Sequence, residues 1–152
     1  MENIKAIIVD DEDQLRTYLK TQLKDVWPEL DICGEAENGE EAIALIEKLQ
    51  PEIVFLDVRM PGLTGIDVAK KISNSSWIVF VTAFDDYAVE AFENEAIDYL
   101  LKPVTTERLK KTVNRIHRRL KSKSDNKINY EQLQKILADI SGRNQAETLQ
   151  WI

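Results

Sequence analysis

Cysteine is almost absent from this chain: Cys33 is the only one in 152 residues. No disulfide can form within the chain, which fits a reducing compartment. In "LDICGE" the residue reads as part of a strand, so a buried, inert thiol is expected. Histidine is as scarce, with His117 alone. It lies in a basic helical stretch without a neighbour that suggests a metal site, and a solvated position is expected. Long apolar runs are missing too. The longest stretch without a charge, Ile72 to Phe84, has 13 residues, short of the roughly 20 that cross a bilayer. The N-terminal "MENIKAIIVDD" lacks a signal-peptide layout, because its apolar run is short and ends in acid. The expectation is a soluble, cytoplasmic protein without membrane contact.

What is abundant is acid, unevenly placed. The net charge is -7, but residues 1–100 hold 22 Asp/Glu against 8 Lys/Arg, and residues 101–152 hold 5 against 12. The body is a poor nucleic-acid surface; the basic tail reads as a solvated helix. A hydrophobic share of 43% suits a packed core and argues against wholesale disorder.

Five short apolar runs alternate with amphipathic segments. "KAIIVD" (Lys5–Asp10), "LDICGEA", "EIVFLD" (Glu52–Asp57), "WIVFVT" (Trp77–Thr82) and "AIDYLLKP" read as strands. Between them, "QLRTYLKTQLKDV" puts Leu15, Tyr18, Leu19, Gln22, Leu23 and Val26 at helical spacing, and Pro28 stops it. "NGEEAIALIEKL" is a helix with Asn38 as cap and acids in its first turn. "MPGLTG" is a loop and "IDVAKKIS" a short helix. "DDYAVEAFE" is the fourth helix, and "TTERLKKTVNRIHRRLK" the long fifth, with Leu109, Val113, Ile116 and Leu120 on one face. Five β–α units in sequence predict a parallel sheet covered on both faces by right-handed crossovers. The strands read as nearly continuous apolar runs, with "LDICGEA" the weakest, as strands covered on both faces should. In such sheets a ligand sits at the carboxyl ends of the strands.

At those ends stand Asp10 and Asp11 after the first strand, Asp57 after the third, Thr82 closing the fourth, and Lys102-Pro103 after the fifth. Any one alone reads as an ordinary turn residue. Together they place three carboxylates, a hydroxyl and an ammonium on one rim. Three clustered carboxylates would force a proton onto one of them. A hard divalent cation removes that conflict, and Mg²⁺ is the usual choice for a few carboxylates plus waters. Mg²⁺ gathers phosphate oxygens, and a carboxylate can attack phosphorus to form an acyl phosphate.

The stretches "VDDE", "FLDVRMPGLTG", "VFVTAF" and "AIDYLLKP" together resemble the receiver domain of two-component response regulators, over roughly residues 3–120. That resemblance implies the flavodoxin-like doubly wound sheet of order 2-1-3-4-5 with five helices. It implies Asp57 as the phosphoacceptor, served by a sensor histidine kinase that carries the donor histidine, so His117 is not the donor. It implies Mg²⁺ held by Asp11, Asp57 and the backbone carbonyl of Arg59, with Asp10 acting largely through water. Thr82 and Lys102 would bind the phosphoryl group, and the Lys102–Pro103 peptide would be cis. Such a domain accepts a phosphoryl group and releases it, without being an enzyme for a free substrate. Arg59 and Phe84 would lie beside the attack path. Tyr99, three residues before Lys102, stands where the family has its aromatic switch, turning inward as Thr82 moves toward the phosphate. The dimer surface would be the fourth helix, fifth strand and fifth helix.

From "TAFDDYAVEAF" through "DYLLKPVTTERL" the chain looks like receivers joined to a LytTR-type DNA-binding domain. The domain reading is then a receiver over 1–120, a linker over 121–129, an amphipathic helix over 130–141, and over 142–152 the start of a truncated output domain, whose missing remainder would contact DNA. The helix could be an interdomain lever, a dimer coil, or a cover on the receiver. The rival readings are a stand-alone phosphotransfer receiver, a Mg²⁺-dependent aspartyl phosphohydrolase with Asp10 and Glu12 as its acids, and a degenerate receiver that only binds partners.

Overall fold

All five apolar runs become strands. The computed structural model describes residues 3–72, 76–83 and 96–121. In it β1 (Lys5–Val9), β2 (Asp31–Ala36), β3 (Ile53–Leu56), β4 (Trp77–Thr82) and β5 (Asp98–Leu101) form one parallel sheet of order β2-β1-β3-β4-β5. The described helices are α1 (Asp13–Val26), α2 (Gly39–Leu49), α3 (Gly65–Ile72) and α4 (Thr106–Lys121). Here α4 is the segment read from the sequence as the fifth helix. The expected helix over "DDYAVEAFE", Phe84, and the linker, helix and output segment past Lys121 lie outside the described residues.

The strands sort their side chains by the two-residue period of a pleated chain. Ile7, Val9, Val54, Leu56, Ile78 and Phe80 pack with Ala42 and Ile46 of α2 and with Val68 and Ile72 of α3. Ala6, Ile8, Phe55, Val79 and Val81 face the other way, toward Leu19 and Leu23 of α1 and Leu109, Val113 and Ile116 of α4. Two apolar layers therefore clamp the sheet, and its ladder bonds are shielded on both faces.

Local signals set the helix ends. Asn38 Oδ1 accepts from the Glu41 N–H at 2.8 Å and caps α2, and Gln50 closes it in the left-handed region at φ 52°. A second cap opens α3, where Thr64 Oγ1 accepts from the Asp67 N–H and Asp67 Oδ2 from the Thr64 N–H, both at 3.1 Å. This reciprocal pair satisfies two of the helix's unpaired donors. On α1 the predicted face narrows: Leu19, Gln22 and Leu23 are buried, while Tyr18 is 51% exposed.

Ala6 pairs with Ile32 and Ile7 with Gly34, so Cys33 is an extra residue on β2, a β-bulge. Cys33 is half-buried rather than fully buried. Burial still pushes its thiol pKa up, as an inert role requires, and its Sγ reaches Ala6 O at 3.6 Å.

Candidate functional site

The carboxyl ends of β1, β3, β4 and β5 do bring the predicted side chains together. Asp10 and Asp57 are each 5% exposed. Lys102 Nζ bridges them, donating to Asp10 Oδ2 at 2.7 Å and to Asp57 Oδ2 at 3.1 Å. Asp57 Oδ1 accepts the Arg59 N–H at 3.2 Å, and Asp10 Oδ1 the Glu12 N–H at 2.9 Å. Thr82 is fully buried and its Oγ1 has no hydrogen-bond partner. A buried hydroxyl left unpaired costs desolvation energy, so a ligand atom is the natural partner for it. The Lys102 N–H donates to Thr82 O at 2.8 Å, which sets the lysine beside that hydroxyl's strand. The Lys102–Pro103 peptide is cis.

Burial is the largest influence on Asp57 and pushes its pKa up; Lys102 opposes this, and Asp10 adds to it. Lys102 is held above its ordinary range: burial works against its charge, but the hydrogen bond to Asp10 and the Asp57 charge outweigh that. The sign has a consequence for stability. An acid whose folded pKa is raised destabilises the fold once ionised, fully so above that raised value. Asp57→Asn should therefore raise the melting temperature at pH 7 in Mg²⁺-free buffer. The gain should shrink as the pH falls toward the ordinary value of 3.8. A melting temperature that drops at pH 7 would mean the Lys102 contact outweighs desolvation.

Carboxylate oxygens of Asp10, Asp11 and Glu12 lie within 4.8 Å of one another. Asp11 and Glu12 are exposed, leaving room for waters. Hard oxygen donors of this number and openness fit Mg²⁺, which keeps several waters and takes few carboxylates. Glu12 was not among the expected ligands. Asp57 stands outside this trio, with its oxygens on Lys102 and the Arg59 N–H. Arg59 itself is exposed.

Tyr99 is fully buried, in the same apolar layer as Phe80, with ring centroids 6.1 Å apart. His117 is exposed as expected, with its ring edge-on to Trp27 at 4.6 Å.

Three site-supporting features escaped the sequence reading. At Gly65, a Cβ would fall 2.1 Å from Asp57 O, so only glycine lets α3 begin against the Asp57 loop, where its N–H donates to Val58 O at 2.8 Å. Arg16 grips the carbonyl of Asp10 from α1. Asp98, fully buried, collects Arg108, Thr112 and Arg115 from α4. Two arginines of the basic helix, read as solvated, are thus spent inside the fold, and Arg119 is 7% exposed with its guanidinium 5.5 Å from the Trp77 ring.

The family model "Response regulator receiver domain" matches residues 6–114. An uncharacterized response regulatory protein of Vibrio cholerae is 45% identical over 119 residues, covering 76% of this chain and 46% of that protein. The transcriptional regulatory protein BtsR of Escherichia coli K12 is 43% identical over 124 residues, 80% of this chain and 51% of the relative. The chain thus spans about half the length of these curated relatives. Among solved structures, the response regulatory domain of mrkE from Klebsiella pneumoniae superposes with a TM-score of 0.73 at 31% identity, covering 78% of this chain and 99% of that one. Sheet order, convergent strand ends and these relatives agree: the chain belongs to the response regulator receiver domain family.

Proposed function

We propose that Asp57 accepts a phosphoryl group from the phosphohistidine of a sensor histidine kinase, and that this switches the output of a transcription regulator. The observation that carries the reading is the buried Asp57 carboxylate. It is faced by the Lys102 ammonium at 3.1 Å, and the buried Thr82 hydroxyl on the neighbouring strand lacks a partner. An Asp57 oxygen attacks phosphorus, the P–N bond breaks, and the leaving imidazole keeps the electron pair and takes a proton. Burial that raises the Asp57 pKa marks a carboxylate poorly stabilised by solvent and therefore ready to bond. Lys102 then pairs with a phosphoryl oxygen, and the Thr82 hydroxyl donates to another. A divalent cation on the Asp10–Asp11 side would supply charge that offsets the oxygens gathering there. Asp11, Asp57 and the Arg59 carbonyl would hold it, with Asp10 through water.

Thr82 gains a partner when the phosphate arrives, and Tyr99 occupies the inward position this change would stabilise. The relatives of about twice the length include transcriptional regulatory proteins. A LytTR-type DNA-binding domain beginning over residues 142–152, and a dimer through the segment read as the fourth helix together with β5 and α4, complete the reading.

Incubation with acetyl phosphate and Mg²⁺ tests it by intact mass. A metal-dependent gain of one phosphoryl group is expected for the wild type and none for Asp57→Asn. An unmodified but folded wild type would leave a binding module without phosphotransfer.

A further inference from the structure

Arg16 has no part in the reading above, yet its guanidinium is among the most engaged groups near the acidic rim. Its side chain is 11% exposed. One terminal nitrogen donates to the backbone carbonyl of Asp10 at 2.5 Å. The other meets Asp13 Oδ1 at 3.0 Å, and Nε meets Glu35 Oε1 at 3.0 Å. Glu35 is itself fixed from a second side by Lys20 Nζ at 2.7 Å on Oε2. The hydrogen bond from Lys20, more than Arg16 beside it, holds the Glu35 carboxyl below its ordinary range, with burial opposing.

The carbonyl that Arg16 holds belongs to the peptide joining Asp10 to Asp11. The same residue's side chain is fixed at both oxygens, by Lys102 and by the Glu12 N–H. With the carbonyl pinned as well, the peptide plane cannot rotate freely. That plane sets the direction in which Asp11 leaves the strand. We infer that Arg16, oriented by Glu35, is a positioning residue that aims the Asp11 carboxylate for the divalent cation from outside the metal site. This inference rests on the proposed Mg²⁺-dependent function.

Charge and position predict opposite signs, which makes the test decisive. Removing a cation near three carboxylates should by charge alone tighten the binding of another cation. Losing the grip on the peptide should loosen it, since residues that orient metal ligands typically cost about 10- to 100-fold in metal affinity when removed. Isothermal titration of Mg²⁺ into the metal-free chain should give about a 10-fold weaker dissociation constant for Arg16→Gln. Glu35→Ala should weaken it too, and Glu35→Gln, which keeps an acceptor for Arg16, less. Acetyl phosphate labelling of Arg16→Gln should recover at saturating Mg²⁺. Unchanged or tighter Mg²⁺ binding in Arg16→Gln, with circular dichroism like the wild type, would overturn the inference. If Arg16→Gln does not fold, Glu35→Ala against Glu35→Gln decides the same point. A wild type that binds no Mg²⁺ would instead sink the functional reading itself.

Discussion

Gly65→Ala should cripple both the fold and the acceptor. A Cβ there would sit 2.1 Å from Asp57 O, 2.8 Å from Asp57 C and 2.8 Å from Val58 Cα. All three are backbone atoms, so no side chain can swing aside. Relief requires α3 and the loop after β3 to part by about 1 Å, which breaks the Gly65 N–H bond to Val58 O and moves Asp57. Overpacking of this kind costs about 1–3 kcal/mol, and the upper end is expected because the clash is with main chain. Misplacement of a reacting group by about 1 Å can cost about 100-fold in rate. Urea unfolding and the rate of acetyl phosphate labelling measure the two effects. Wild-type values in both would show that the loop absorbs a methyl group at no cost.

Asp98→Ala should produce the largest loss of stability without touching the acceptor. Asp98 is fully buried and accepts from Arg108 at 2.9 and 3.0 Å, from Arg115 at 2.9 Å and from Thr112 Oγ1 at 2.6 Å. The two arginine side chains are only 16% and 14% exposed. Deleting the carboxylate removes the shared acceptor of two arginines and a buried hydroxyl. Breaking a buried pair from one side costs about 3–5 kcal/mol, and the partial exposure of the arginines favours about 3. Arg115→Met should cost less, because it leaves Asp98 with Arg108 and Thr112. Denaturant midpoints for the two variants check this. A loss below about 1 kcal/mol for Asp98→Ala would place the cluster with ordinary surface ion pairs. Since Arg108 also reaches Tyr99 O at 3.5 Å, the cluster ties α4 to the strand that carries the proposed switch residue.

The central strands β1, β3 and β4 were legible because strands covered on both faces must be short, apolar and β-branched. By contrast β2 and β5, which carry Asp31, Glu35 and Asp98, were legible from their place in the alternation with helices. The rim was legible for a topological reason: in a parallel sheet every strand's end falls on the same side, so Asp10, Asp57, Thr82 and Lys102 converge whatever the packing. Asp98 was hidden because a single acid inside "AIDYLL" carries no mark of burial. Its partners do carry one in retrospect. Arg108, Thr112 and Arg115 recur at four and three residues, one stripe of a helix, and a stripe of two cations and a hydroxyl is consistent with a buried acid as well as with solvent. Gly65 was hidden because a loop glycine says nothing about which backbone it lets approach. Tyr18 was misplaced because helical spacing alone does not show how far around α1 the covering elements reach.

The bulge at Cys33 has a consequence for which changes of length β2 can bear. Ile32 lies against Ala6 and Glu35 against Ile8, and Ala6 and Ile8 share the α1 face of the sheet. Residues three apart cannot share a face of a regular strand; the extra residue is what turns Glu35 toward Arg16 and Lys20. Exchanging Cys33 for another small side chain should therefore matter little. Deleting it would make Ile32, Gly34 and Glu35 consecutive opposite Ala6, Ile7 and Ile8, so regular alternation would keep Glu35 on the α1 face and Gly34 on the α2 face. The pairing of β2 does not use residue 33, so both its identity and its presence are free to drift, whereas a residue lost or gained after Gly34 would invert the faces.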